Sequence, residues 1–191
     1  MKTLNQYIKE KLIVNKNYRD ARISPESFDE LRKIIEDRYD KLGPGTEQKP
    51  IDFNDIDVSN IDSFYNGKTF YKGIFAEIKF KYIDISDWDV SNVKSMHKMF
   101  YWSEKLESVG DISKWNVSSV TDMQNMFACF KKFNQDISGW DVSNVTNMAF
   151  MFYDCESFNQ DISRWDVSNV TDAINMFEKC PIKEEYKPKF K

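Results

Sequence analysis

The chain is poor in the residues that catalytic, exported and nucleic-acid-binding proteins depend on. Its 191 residues include one histidine, three cysteines and six glycines, and the formal net charge is −4. The lack of a glycine-rich loop argues against a phosphate-binding site. The lack of a basic excess argues against nucleic acid and against an anionic membrane surface as partners. No apolar run is long enough to span a membrane.

The cysteines do not indicate a disulfide framework or a metal site. Their number is odd, and no Cys-x-x-Cys pair occurs among Cys129, Cys155 and Cys180. Cys155 and Cys180 share a repeat position with Phe130, which predicts packing rather than ligation. Lysines and Glu10 interrupt the apolar runs near the N-terminus, so we expect no signal peptide, and the first cysteine comes too late for lipid attachment. We therefore expect a cytoplasmic protein that needs no metal or cofactor.

What the chain does have is a repeated phrase. Phe-Asn-Gln-Asp-Ile-Ser-x-Trp-Asp-Val-Ser-Asn-Val-Thr stands at 133–146 and again at 158–171. Tryptophans mark the repeat with spacings of 27, 25 and 25 residues, at Trp88, Trp115, Trp140 and Trp165. A fixed period of this size predicts a solenoid, in which each unit buries its apolar face against its neighbour.

Each unit is predicted to be a short strand, a turn and a helix. Phe133 and Ile137 share one side of the strand, and Ser143 or Asn144 suits a helix N-cap. Apolar residues then follow at steps of three and four up to Cys155, as on a helical stripe. The predicted fold is an α/β, leucine-rich-repeat-like solenoid with parallel strands on one face and helices on the other. Its structural core is predicted to contain the four tryptophans and Met99, Met126, Met151 and Met176.

The regions outside the full repeats are predicted to be helical, loop-like or degenerate. A first helix is predicted over residues 3–14, and a second begins at Ser24 with Pro25 in its first turn and ends before Gly43. Ile56 occupies the tryptophan position of a faint first repeat. The predicted organisation is an N-terminal helical segment (1–42), a linker (43–50), a degenerate repeat with an insertion (51–82), the solenoid (83–180) and a polar tail (181–191).

The repeat also resembles a known family. The run Asp-Ile-Ser-x-Trp-Asp-Val-Ser-Asn-Val-Thr-x-Met-x-x-Met-Phe-x-x-Cys is similar to the BspA-like leucine-rich repeat of bacterial surface proteins and Mycoplasma-type lipoproteins, over about 83–180. The resemblance implies a repeat scaffold that binds other proteins. Members of that family are commonly exported and anchored, whereas this sequence shows neither signal. Residues 4–12 are weakly similar to leaders of phage-encoded proteins of gut bacteria.

Catalysis and calcium binding are the chemical alternatives to weigh. His97 shares its repeat position with Gln124, Ala149 and Ile174, so we expect a solvated side chain and no enzyme. Two aspartate positions recur through the units and offer stacked carboxylates for calcium. The same side chains commonly bond backbone amides in turns, and their recurrence in every unit favours that structural role. The first position holds Asp84, Asp111, Asp136 and Asp161; the second holds Asp89, Asn116, Asp141 and Asp166.

Positions that change between units are the candidates for recognition. One precedes each tryptophan and carries both signs of charge; others lie on the predicted helices and include aromatic side chains that either bind a partner or cover the seams between helices. The candidate partner-binding residues are Asp87, Lys114, Arg164, Lys98, Asn125, Phe150, Tyr153, Tyr101 and Trp102. The sequence favours a non-enzymatic protein-binding module, borne on a phage or mobile element and directed at a host protein. The alternative is a surface or adhesin-like protein, and an edge of the solenoid is also available to pair with a second copy.

Overall fold

The computed structural model describes residues 23–67 and 73–190, and its first element is the helix α1, Phe28–Leu42. Ser27 caps this helix by accepting a hydrogen bond from the Glu30 amide at 3.2 Å. The helix ends at Leu42, and Gly43 caps it with a φ of 74°, in the left-handed region that glycine tolerates. The predicted start at Ser24 was wrong by three residues, and the helix predicted over 3–14 lies outside the described residues.

The repeats are built from turns, and the predicted solenoid of parallel strands and helices is wrong. Beyond α1, the regular elements of residues 23–67 and 73–190 are strands β1 (Ile51–Asp52) and β2 (Ile83–Asp84), which pair in parallel, and a 3₁₀ helix at Glu184–Tyr186. No unit contains an α-helix within these residues. The stretch that reads as a helical stripe is instead a chain of consecutive turns.

The cause is a pair of left-handed residues in each unit. Lys98, Asn125, Phe150 and Asn175 have φ between 53° and 57°, and a second left-handed position recurs at Trp102, Cys129, Asp154 and Lys179. In one unit the Met151 amide donates to the Met148 carbonyl at 3.1 Å, which closes a turn with Phe150 at its third position. A right-handed helix cannot continue through such residues. Successive turns still return apolar residues to one side every three positions, so the sequence pattern imitates a helix.

The turn-built units are held together by backbone hydrogen bonds between neighbours. The amides of Met148, Phe150, Phe152 and Asp154 donate to carbonyls of the next unit at 2.8–2.9 Å. Equivalent bonds join the earlier units, and parallel bridges link Ser63, Ser95, Asp122, Asn147 and Asp172 in that order. We call this assembly the repeat stack. Along this turn segment the donors belong to the earlier unit and the acceptors to the later one, whereas the amides of Thr146 and Thr171 donate in the opposite direction, to the unit before. We call the side of the turn segment that faces the next unit its donor side and the opposite side its acceptor side.

The interior of the repeat stack is a set of aromatic columns. Phe75, Phe100, Phe127, Phe152 and Phe177 stack with centroid separations of 5.6–5.7 Å. The four tryptophans are 3–5% exposed, and the four core methionines are at most 2% exposed. Three indole groups donate to a backbone carbonyl of an earlier segment, as Trp140 does to Ile112 at 3.0 Å, whereas the buried Trp115 nitrogen has no partner in the described part of the chain.

The Asn of the Val-Ser-Asn-Val phrase ties units together instead of capping a helix. The side-chain Nδ2 of Asn144 donates to the Ser118 carbonyl at 2.8 Å, and Nδ2 of Asn169 donates in the same way to the Ser143 carbonyl at 2.8 Å. Asn92 makes the equivalent bond to Ser59 at 3.0 Å. The recurring asparagine is therefore explained by its bond between units.

The second full unit carries Ser119 at this position, which gives a direct test. We expect Ser119→Asn to raise the free energy of unfolding by about 1 kcal/mol, the usual net value of one hydrogen bond, because the longer side chain reaches the Ser91 carbonyl. Urea denaturation of the variant and the wild type measures this difference. Asn144→Ser is the matched reverse change and should lower stability by a similar amount. A destabilised Ser119→Asn protein would contradict the assignment.

Helix α1 caps the N-terminal end of the repeat stack. Arg32 Nη1 lies 2.8 Å from the Ile74 carbonyl, 3.1 Å from that of Gly73 and 3.3 Å from that of Ala76. Ile74 and Ala76 occupy the positions that accept bonds from a preceding unit elsewhere in the stack, as Met99 and Tyr101 do. The guanidinium group thus replaces the donors of a missing unit. The buried face of the helix, with Leu31, Ile34 and Ile35, packs against the same end.

Candidate functional site

A groove runs across the left-handed turns of four units on one face of the repeat stack. Its volume is about 410 Å³. We call it the variable groove, because its lining comes mostly from positions that differ between units. The lining residues are Lys98, Tyr101, Gln124, Asn125, Cys129, Phe150, Tyr153, Asn175 and Glu178.

The turns explain why these side chains share a face. Phe150 stands at the left-handed position of one turn, and Tyr153 follows three residues later in the next turn. Their rings meet edge to face at 5.9 Å. Lys98 with Tyr101 and Asn175 with Glu178 repeat the same spacing in other units, so successive units place their variable pairs in a row.

Cations and aromatic rings are combined in and beside the groove. Lys98 Nζ lies 5.6 Å from the Tyr101 ring centre and 5.7 Å from that of Tyr65, and burial lowers the pKa of Lys98. Lys179 Nζ donates to Tyr153 Oη at 3.0 Å, which raises the pKa of this lysine. The groove therefore offers aromatic faces, amides and positive charge, which is the chemistry of a surface that contacts proteins.

Five of the nine candidate partner-binding residues line the groove, and four do not. Lys98, Tyr101, Asn125, Phe150 and Tyr153 are in its lining. Gln124 and Cys129 also line the groove, although they are not among the residues predicted to bind a partner. Trp102 is 46% exposed, with its ring 5.6 Å from that of Tyr101. The other three, Asp87, Lys114 and Arg164, are exposed on the turns before the tryptophans and do not line the groove.

These omissions follow from the predicted secondary structure and from the predicted role of the cysteines. Gln124 shares its position with His97 and was assigned to a solvated helix surface, and Cys129 was displaced by one from the other cysteines of the repeat. On a helix the position of Gln124 would not share a face with that of Phe150, whereas Cys129, four residues after Asn125, would share it. Cys129 was omitted because the cysteines were predicted to be small buried packing residues. Cys129 has φ 60°, and this left-handed turn places it in the groove lining.

His97 is not the solvated side chain that its repeat position predicts. Its side chain is 12% exposed, its ring lies 4.3 Å from that of Tyr65, and Nδ1 is 3.5 Å from an Asp122 carboxylate oxygen. Tyr65 belongs to the insertion in the first unit. The other units lack this insertion, so comparing His97 with its equivalents in those units could not predict its burial. The Ser95 hydroxyl donates to Asp122 at 3.3 Å, so the serine is paired with the carboxylate and not with the imidazole. The arrangement lacks the nucleophile–base bond of a catalytic triad.

The cysteines behave as packing residues in the described structure. Cys155 is fully buried and its thiol donates to the Phe127 carbonyl at 2.8 Å. Burial raises the pKa of Cys155 well above its usual value, and burial together with the charge of Asp154 raises the pKa of Cys129 to about 11. The reactive thiolate is therefore disfavoured at both residues. Residues 23–67 and 73–190 contain no group of three His, Cys, Asp or Glu side chains that could hold a metal.

The recurring aspartates bond backbone amides in the turns, as predicted for a structural role. Asp136 accepts from the Ser138 amide at 2.9 Å, and Asp141 accepts from Ser143 at 3.1 Å. The equivalent residues of the other units make the same bond, including Asn116 with Ser118 at 3.2 Å. Hydrogen bonds from the serine hydroxyl and amide lower the pKa of Asp136 and Asp141 below the ordinary value of 3.8.

These lowered pKa values predict the direction of acid unfolding. A carboxyl group whose pKa is lower in the folded state stabilises the fold above its unfolded pKa, and that contribution is lost as the pH falls through the folded pKa. We expect the urea midpoint to stay level from pH 7 to about 4.5 and to fall steadily below about pH 4. Asp136→Asn keeps an acceptor oxygen, as Asn116 does naturally, and should reduce the acid dependence. Unchanged stability between pH 5 and 3 would contradict this role.

Comparison with known proteins identifies a family but no activity. A family model described as "Mycoplasma protein of unknown function, DUF285" matches residues 68–188, which cover most of the repeat stack. No curated protein and no solved structure matches the chain. Among the described residues, no helix is both long and apolar enough to cross a membrane.

Proposed function

This chain belongs to the DUF285 family of Mycoplasma proteins of unknown function, and from that premise we propose that it is a non-enzymatic module that binds another protein through the variable groove. The observation that carries the proposal is the contrast between the two kinds of repeat position. Residues of the core recur from unit to unit, whereas residues of the groove differ although the backbone beneath them repeats. A scaffold of constant residues that presents a row of variable ones is the usual design of repeat proteins that bind proteins.

The affinity is expected to come from the aromatic part of the groove. Phe150 and Tyr153 are half-buried and contact each other, so their side chains are already held in place. When a partner packs against them, these two side chains therefore lose little further conformational entropy. Lys98 places a positive charge at one end of the groove, and Glu178 places a negative charge at the other end. These charges are expected to orient the partner and to set the rate of encounter more than the affinity.

The repeat itself supplies substitutions that should preserve the fold. Asn stands at the Phe150 position in two other units, and Ala stands at the Tyr153 position in one. The groove variant is therefore Phe150→Asn with Tyr153→Ala. Its control is Lys114→Asp with Arg164→Asp, because Asp87 occupies that position in the first full unit. Both variants should melt cooperatively and give the circular dichroism spectrum of the wild type.

The test uses the wild type and both variants as bait in the native host, followed by mass spectrometry and affinity measurement with the purified partner. We expect one partner that the groove variant binds at least tenfold more weakly, a loss of about 1.4 kcal/mol. The charge variant should retain affinity within about threefold and change mainly the association rate. If the groove variant binds at full affinity, the interface lies outside the groove and the proposal fails.

A further inference from the structure

The repeat stack ends in a row of unsatisfied backbone donors. In the unit before the last, four amides donate to carbonyls of the last unit at 2.8–2.9 Å. The corresponding amides of the last unit have no acceptor in the part of the chain that the structure describes. They belong to Ala173, Asn175, Phe177 and Lys179, and we call this row the donor edge.

The C-terminal residues cover part of the last unit, including the ring of Phe177, but among the described residues none accepts a hydrogen bond from the four amides of the donor edge. The Ile162 amide donates to the Tyr186 carbonyl at 3.0 Å, and Lys187 Nζ lies over the Phe177 ring at 5.6 Å. Ile174 remains 58% exposed in the middle of the donor edge. An exposed apolar side chain within a row of unpaired amides is the signature of a surface that pairs with another backbone.

The polarity of the stack disfavours a second copy of this chain as the occupant. The donor edges of two copies cannot satisfy each other, because the carbonyls of residues 173–178 already accept hydrogen bonds from amides of the same chain. A head-to-tail pair would need the acceptor side of the partner copy, where Arg32 already bonds the carbonyls of Gly73 and Ile74. The ligand of the donor edge must therefore present free carbonyls from a different polypeptide.

We infer that the donor edge binds a turn-built repeat unit of this same kind, carried by another polypeptide whose acceptor side is uncapped. Asn175 and Lys179 have φ of 53° and 59°, so the row of amides follows a path of turns that a plain extended strand does not match. A repeat unit does match it, as each earlier interface of the stack demonstrates. Its phenylalanine would take the place of Lys187 over the Phe177 ring and extend the aromatic column by one member.

Amide hydrogen exchange of the full chain tests this inference. The probe is a synthetic peptide with the sequence of residues 133–157, which contains one set of acceptor carbonyls; a scrambled peptide is the control. Alone, the amides of Asn175 and Phe177 should exchange rapidly, while those of Phe150 and Phe152 are protected. We expect the probe to slow exchange at the donor edge about tenfold and to leave Phe150 and Phe152 unchanged.

The outcomes separate the donor edge from the variable groove. The groove variant Phe150→Asn with Tyr153→Ala should bind the probe as the wild type does, so the inference survives if the proposed function fails. Protection by the scrambled peptide to the same degree would show non-specific pairing and overturn the inference. So would absence of protection at about millimolar probe, or protection that grows with protein concentration alone, which would identify a second copy as the occupant.

Discussion

Replacing Trp140 by alanine is expected to lower the free energy of unfolding by about 3–5 kcal/mol, the range for emptying a large buried aromatic site. The side chain is 4% exposed and stacks on Trp115 at a centroid distance of 6.4 Å. Its indole nitrogen also donates to the Ile112 carbonyl at 3.0 Å, so the substitution leaves a buried acceptor without its partner. Denaturant melts of the wild type and the variant give the difference directly.

Trp102→Ala is the matched control for Trp140→Ala. Trp102 is 46% exposed and lies at a left-handed position, φ 57°, outside the aromatic columns. Its removal should change stability by less than about 1 kcal/mol. If Trp140→Ala costs no more than Trp102→Ala, then the tryptophans do not form the interior of the repeat stack.

The sequence predicted the core because burial depends on the repeat period, whatever the local backbone does. Phe152 and Met151 recur 25 residues after Phe127 and Met126, and these residues are buried in the structure. The end of α1 was predicted for a similarly local reason, since a glycine followed by Pro44 stops a helix. The aspartates of the turns were predicted because a short carboxylate bonds the amide two residues on.

The turns of the repeat were not predictable from apolar spacing, because consecutive turns give the same spacing as a helix. The left-handed positions are what exclude helices. Several of them hold residue types that rarely adopt a left-handed conformation, namely Lys98, Phe150 and Trp102. Asn125, Asn175 and Asp154 were typical of it. The bonds between units impose the conformation, and along the turns they join residues 24–26 positions apart, a separation that local sequence patterns do not register.

The variable groove was predicted only in part, because the sequence shows which positions vary but not which of them share a face. The sequence identified the variable positions, because variation between units is visible without a structure. The predicted partner-binding residues combined the charged residues that precede the tryptophans with the aromatic positions. In the structure Lys114 and Arg164 lie outside the groove. Whether two variable positions share a face depends on the turn geometry, which the helical interpretation had wrong.

Replacing Arg32 by methionine is expected to lower the free energy of unfolding by about 2–3 kcal/mol, the cost of leaving buried carbonyls without a charged donor. Methionine keeps the apolar stem of the side chain but removes the guanidinium bonds to Gly73, Ile74 and Ala76. All three residues are buried, so water does not readily replace the lost donors. Urea melts of Arg32→Met and the wild type measure the loss.

Glu36→Gln separates the cap from the ion pair that Arg32 also makes on the surface of α1. Arg32 Nε lies 2.8 Å from Glu36, whose side chain is 52% exposed, and such pairs contribute only about 0.3–0.5 kcal/mol. The glutamine variant should therefore be almost as stable as the wild type. In Arg32→Met, amide exchange should accelerate most in the first unit, at Phe75 and Glu77, and least near Phe152. Equal losses for the two variants would mean that the ion pair stabilises the helix and that Arg32 does not cap the repeat stack.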